Sequence, residues 1–297
     1  MWIVITLFAA ACQSARTAYQ NTLAHDAGFL HATMARSLYG LPLVSVYLLV
    51  VWFLFGGVQW PAEAIFWWAA SSCAVAQMLA TYFMLRAFRS GSFAMGTLLA
   101  KTEAVLAALI GLPLLHYTLT LGSWLGIALG VMGAIVMTVK WQNLRRAHKD
   151  ASLLLGLASG FCFAITSVMA SMASHALSGS IVTSAGMTLC YVLALQSLIL
   201  VGLQAILSQD LLVSFRQHKG LSWKVGVLSS LGSIGWFTGF ALVNPALVKT
   251  LGQIEILGTL YYSKVRFAEK IPKQQWLGGA MIVLSVILVV VSTAKDG

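Results

Sequence analysis

The chain has 297 residues, 59% of them hydrophobic and only 9% charged, with a mean hydropathy of +0.87. A soluble domain carries about 25% charge, so the polar surface here is too small for a water-soluble globule, and the composition is that of a polytopic helical membrane protein. The net charge of +10 lies at helix ends and in connections, as membrane proteins require; with no nucleic-acid-binding motif in the sequence, DNA and RNA are excluded as partners.

A transmembrane helix needs about 20 largely apolar residues, and ten such segments fit the chain with short connections. The first covers 2–22. It lacks a basic leader and a cleavage site, so it reads as a span and not as a removed signal peptide. Gln13, Arg16 and Gln20 form one polar stripe on it, at helical spacing. The second covers 29–55 with Arg36 near its start, and the third 63–88, where Gln77 and Thr81 share a face beside Tyr82. The fourth, 92–114, carries Lys101 and Glu103. The fifth, 121–140, has Gly126, Gly130 and Gly133 at a spacing that suits close helix crossing or a dimer seam. The sixth and seventh cover 152–174 and 180–207. The eighth, 222–243, holds Trp236 and Phe237; the ninth, 246–266, holds Gln253, Glu255, Tyr261 and Tyr262; the tenth, 275–293, opens on Gly278 and Gly279. Cys12, Cys73, Cys162 and Cys190 all fall inside these apolar segments, with no CxxC pair, and read as small packing residues.

The two halves repeat. Phe88, Ala94, Leu99 and Glu103 match Phe240, Ala246, Leu251 and Glu255 at an offset of 152. Farther on, Trp124-Leu125-Gly126 matches Trp276-Leu277-Gly278. The first helices agree at an offset of 150, Leu7 with Leu157, Cys12 with Cys162 and His25 with His175. The repeats are placed at 1–150 and 151–297, five helices each. An odd number of spans makes the second copy enter the membrane upside down, the inverted-topology arrangement of secondary transporters. Lys and Arg cluster after odd-numbered helices, from Arg86 and Arg89 through Arg145, Arg146 and Lys149 to Lys270 and Lys273. The other side holds little beyond Lys295, with Lys249 ambiguous. By the positive-inside rule the odd connections are cytoplasmic and both termini lie outside.

Glu103 and Glu255 are the most informative residues. An ionisable side chain at the bilayer centre costs about 2.5–3.5 kcal/mol on insertion scales and is rarely kept without a use. Burial disfavours an ionised carboxylate, so such a glutamate can take a proton on one side and release it on the other. The competing reading is a structural ion pair with Lys101. Lys101 could instead hold Glu255 ionised across the repeat interface or bind a solute carboxylate, and a zwitterion such as an amino acid would satisfy both signs. Gln253 is the repeat counterpart of Lys101. Arg16 and Arg36 could line a positive vestibule or snorkel to headgroups. Gln77, Tyr82 and Trp236 are candidate lining residues, the aromatics as a box for a cationic or planar solute or as plain core.

These features resemble the EamA-like, ten-helix branch of the drug/metabolite transporter superfamily. The resemblance rests on the helix after AFRSGSFAMGTLLAK, its counterpart FALVNPALVKTLGQ, and the late motif FAEKIPKQQWLGGAMIVLSVILVV. In that family a Glu closes the ninth helix and a Gly begins the tenth, and Glu269 and Gly278 match those positions; the first-half counterpart of the Glu is Tyr117, which removes an anchor there. Many members hold both termini inside, whereas the charges here argue the reverse. The resemblance covers nearly the whole chain. It implies transport, of substrates ranging over amino acids, drugs, sugars, nucleotides and other metabolites.

The reading is an all-α membrane protein of two inverted five-helix repeats, in the inner or plasma membrane. It works as a secondary transporter of a small metabolite by alternating access with a proton as coupling ion, and a homodimer is possible. A lipid flippase on the same fold and a non-transporting receptor or assembly subunit are the alternatives. No phosphate loop, nucleophile triad, HExxH or cofactor motif appears, so no enzyme activity, metal or cofactor is expected.

Overall fold

The computed structural model describes residues 1–58, 64–90, 102–116, 119–138, 151–207, 217–265 and 272–294. These form twelve helical segments and no strand: α1 (Trp2–Ala27), α2 (Phe29–Leu38), α3 (Gly40–Phe55), α4 (Ala64–Ser90), α5 (Glu103–Leu115), α6 (Leu121–Thr138), α7 (Ala151–His175), α8 (Ile181–Leu207), α9 (Lys219–Leu242), α10 (Pro245–Gly252), α11 (Glu255–Val265) and α12 (Lys273–Ala294). They make ten spans, because α2 with α3 and α10 with α11 each continue one span. Among the described residues six helices are long and apolar enough to cross a membrane. Lys101, Tyr117 and Glu269 lie outside the described residues.

Two spans expected to be unbroken are interrupted, each for a local reason. The second bends at Tyr39. Pro42 has no N–H for the Leu38 carbonyl, the usual cause of such a kink. In the ninth, Asn244 caps α10 by accepting from the Ala246 N–H at 2.9 Å, with Pro245 in the first turn, where a missing donor costs nothing. The helix then stops at Gly252, where any side chain would run into the Trp236 ring. Tight bonds from Gln253 N–H to Thr250 O (3.1 Å) and from Ile254 N–H to Leu251 O (3.2 Å) carry the chain into α11. The first span also reaches farther than expected, to Ala27, and ends at Gly28, whose φ of +89° is a glycine conformation.

Contacts between spans come in exchanged pairs. α1 packs along α9, and its counterpart α7 packs along α4, the counterpart of α9. α1 touches α10 and α11 as α7 touches α5. α5 with α10, α6 with α12, and α2–α3 with α8 meet their own counterparts on the pseudo-two-fold axis. The inverted repeat inferred from the sequence is thus present as packing.

The fold is built for lipid. Large side chains such as Phe53, Leu54, Ile206 and Leu198 face outward, while the interior is rich in Ala, Ser and Thr. Lipid tails are as apolar as leucine, so helices associate through close packing of small residues. Gly235 of α9 meets the Ile5 carbonyl and Ala9 of α1; Gly126 and Gly133 of α6 meet the backbone of α12. The glycine stripe of the fifth span is therefore an internal seam.

A Cβ on Gly133 would lie 2.8 Å from the Gly278 carbonyl oxygen, whereas nothing lies within 4 Å of one on Gly202 in α8. Gly133→Ala is expected to lower the melting temperature of the purified protein through a loss of about 1–3 kcal/mol. Gly202→Ala is expected to leave it level or slightly raised. Equal melting of the two variants would contradict the close α6–α12 contact.

Candidate functional site

Both repeat-related glutamates open a helix: Glu103 is the first residue of α5 and Glu255 the first of α11. A helix start carries partial positive charge and unpaired N–H groups, which suit a carboxylate. Both are buried in the middle of the bundle.

Glu103 is held by a base from the other half. Lys249 Nζ donates to Glu103 Oε2 at 3.0 Å, with the two side chains only 5% and 4% exposed. The ammonium also lies over three ring faces, Trp236 at 5.0 Å, Phe163 at 5.3 Å and Phe240 at 5.4 Å. Aromatic faces are negative and attract a cation, more strongly once it is desolvated. Of the aromatics anticipated as a box for a solute, Trp236 lies instead against the chain's own lysine, together with Phe163 and Phe240, which were not anticipated. Trp236 stacks on Phe240, and its indole Nε1 is buried without a hydrogen-bond partner.

Glu255 is held by α1. Gln13 Nε2 donates to Glu255 Oε2 at 2.8 Å, and Ser14 Oγ donates to the Glu255 backbone carbonyl at 3.0 Å. One turn on, Arg16 is 4% exposed and feels the fields of Glu255 and Glu103. Its Nε and Nη2 atoms are buried with no hydrogen-bond partner. Gln20, next on the same stripe, donates to the Ala32 carbonyl at 2.9 Å. The stripe turns inward along its length.

Arg36 is buried rather than snorkelling. Its Nε donates to Ser229 Oγ at 3.1 Å and its Nη1 to Thr81 Oγ1 at 3.2 Å, and it lies close enough to Arg16 to feel its charge. Gln77 accepts from Gln196 Nε2 at 3.0 Å, just beyond Thr81. These residues join Glu103, Glu255, Gln13, Arg16 and Trp236 in one polar centre.

Two candidates stand apart from it. Gln253 points at α6 and α12, where a Cβ on Gly130 would meet its Oε1 at 2.5 Å and Ser285 Oγ at 2.8 Å; its amide atoms and Ser285 Oγ are buried and unpartnered. Tyr82 packs edge-on against Phe29 with Arg86 over its ring at 5.7 Å. Phe29 also lines a cleft of about 650 Å³ between the ends of α1 and α4, with Asn21, His25 and Arg89.

Sequence reasoning missed Lys249 as the partner of Glu103, and it missed Ser14, Gln196 and Ser229. Lys249 had a signal, a base six residues before Glu255 inside an apolar span. The serines had none. Among the described residues no cluster of His, Cys, Asp and Glu could hold a metal.

A model of the EamA-like transporter family matches residues 1–139 and again 151–291. No curated protein matches the chain. Among solved structures 28 chains match. One of them, described only as the crystal structure of a protein, superposes with a TM-score of 0.69 at 13% identity over 98% of this chain and 96% of that chain. At that identity the likeness is one of fold.

Removing one partner of a buried ion pair leaves an uncompensated charge and costs about 3–5 kcal/mol, while replacing both is close to neutral. Lys249→Met or Glu103→Gln alone is therefore expected to lower thermal stability strongly, and the double variant to recover most of the loss. Additive losses in the double variant would mean that the two side chains do not pair.

Proposed function

This chain belongs to the EamA-like transporter family, and we propose that it is a secondary transporter that carries a small metabolite by alternating access, with a proton as coupling ion. It is a multi-pass integral membrane protein. The observation that carries the proposal is the charged centre itself: helix starts from both repeats, a base from one half and an acid from the other, in a layer where ionised groups are costly.

The two glutamates take different roles. Glu103, paired with Lys249, ties the repeats together. Glu255 accepts from the neutral amide of Gln13, and it is the residue to which we assign the exchangeable proton. The break before Glu255 lets α11 move relative to α10 without disrupting a continuous helix, as discontinuous spans do in other transporters. Gln77, Arg36 and Thr81 line the path of the solute beside it. The distribution of Lys and Arg supports a cytoplasmic face that carries the cleft by His25 and Arg89, with both termini on the opposite side.

The test is flux in proteoliposomes with an imposed pH gradient, screened over amino acids, amines and drug-like cations. Glu255→Gln keeps the hydrogen-bonding shape and loses the proton site. It is expected to remain folded, with a single cooperative melting transition, and to lose gradient-driven accumulation, while exchange of solute at equal pH survives. Accumulation equal to wild type would remove Glu255 from proton coupling.

A further inference from the structure

Of the eight acidic residues in the sequence, only Glu103 and Glu255 lie within the spans; the rest fall at helix ends or in connections. Against these two stand three buried Lys and Arg side chains among the described residues, Arg16, Arg36 and Lys249. The centre is therefore one positive charge in excess, and the chain has no further acid in its spans to balance it. Lys101, two residues before Glu103, could only add to the excess.

Lys249 is spent on Glu103 and three aromatic rings, so the excess falls on the two arginines: Arg36 donates to two hydroxyls, and Arg16 lies in the field of Glu255. Arg16 keeps Nε and Nη2 buried without a partner. These two nitrogens form one side of the guanidinium, where their N–H bonds run parallel. That fork matches the two oxygens of a carboxylate and binds it with two charge-assisted hydrogen bonds. A buried, charged donor pair left unmatched is expensive, and an arriving carboxylate would match both the charge and the geometry.

We infer that Arg16 is the anion-binding residue of this transporter and that its solute carries a carboxylate, gripped side-on by Nε and Nη2. This rests on the transport reading above and names its substrate class. Trp236, with a buried indole N–H lacking an acceptor, offers a further donor on the same centre. The requirement is for one net negative charge or a zwitterion whose carboxylate reaches Arg16. A solute bearing only positive charge would add to the excess.

The experiment uses the purified full-length protein and pairs each acid with its amide. Acetate, L-lactate and L-alanine are set against acetamide, lactamide and L-alaninamide, with methylammonium and inorganic phosphate alongside, and binding is read by thermal stabilisation. At least one carboxylate is expected to stabilise wild type while its amide does not. Arg16→Lys keeps the charge and loses the fork, and is expected to weaken that binding by about ten- to a hundredfold; Arg86→Gln, at an exposed site, is expected to leave it unchanged.

The inference is overturned if amides bind as well as acids, if only methylammonium or phosphate binds, if no probe binds, or if a folded Arg16→Lys binds as wild type does. If the Arg16 variants do not fold, the acid–amide comparison on wild type decides. Proteoliposomes separate the two claims: flux of amines or neutral solutes without any effect of carboxylates keeps transport and removes the carboxylate, whereas carboxylate binding with no flux of any solute does the reverse.

Discussion

An ammonium and a carboxylate buried against each other, away from water, organise this molecule. Lys249 belongs to the second repeat and Glu103 to the first, and they meet at 3.0 Å. Desolvating such a pair costs several kcal/mol per ion. Here the cost is offset by a short contact, by the positive start of α5 under the carboxylate, and by three ring faces around the ammonium. Each of those supports constrains something else. The rings fix α7 and α9 around α10; the Trp236 ring bars a side chain at position 252; the end of α10 there puts Glu255 at a fresh helix start. The geometry of the second acid thus follows from the housing of the first.

The surrounding scaffold follows from the absence of a hydrophobic drive between helices in lipid. Many bulky side chains face outward, and the interior mixes Ala, Ser and Thr with a smaller set of large apolar residues such as Phe66, Phe237 and Phe240. Close backbone approach at Gly126, Gly133 and Gly235 supplies cohesion, and serine and threonine hydroxyls return most of their hydrogen bonds to their own helices, as Thr250 does to Ala246 and Ser174 to Ala170. A bundle held this way can admit a few charged groups without a conventional core to disrupt.

Much of this was legible in the sequence because the signals were discordant with their surroundings. A glutamate in an apolar run stands out, and two at one repeat offset fix both the duplication and its axis. The polar stripe of Gln13, Arg16 and Gln20 was legible for the same reason, and all three turn inward. That Lys249 pairs with Glu103 was not, because nothing along a chain says which base a bundle brings across from the other half. The interruption before Glu255 was also hidden, since a single glycine in an apolar run has many readings, and the Trp236 ring that packs on Gly252 comes from another helix. In sequence Gln253 reads as part of the polar floor, yet it faces α6 and α12, away from the charged centre.

That buried glutamine has a mechanical meaning. It sits at the joint between α10 and α11, with its amide lodged in the notch left by Gly130 and facing Ser285. If α11 pivots at the joint, the amide must slide along the groove between α6 and α12 like a tooth in a rack. The outer pair of helices is then geared to the joint rather than being an inert frame, and displacement of one half-helix is transmitted to the periphery of the molecule.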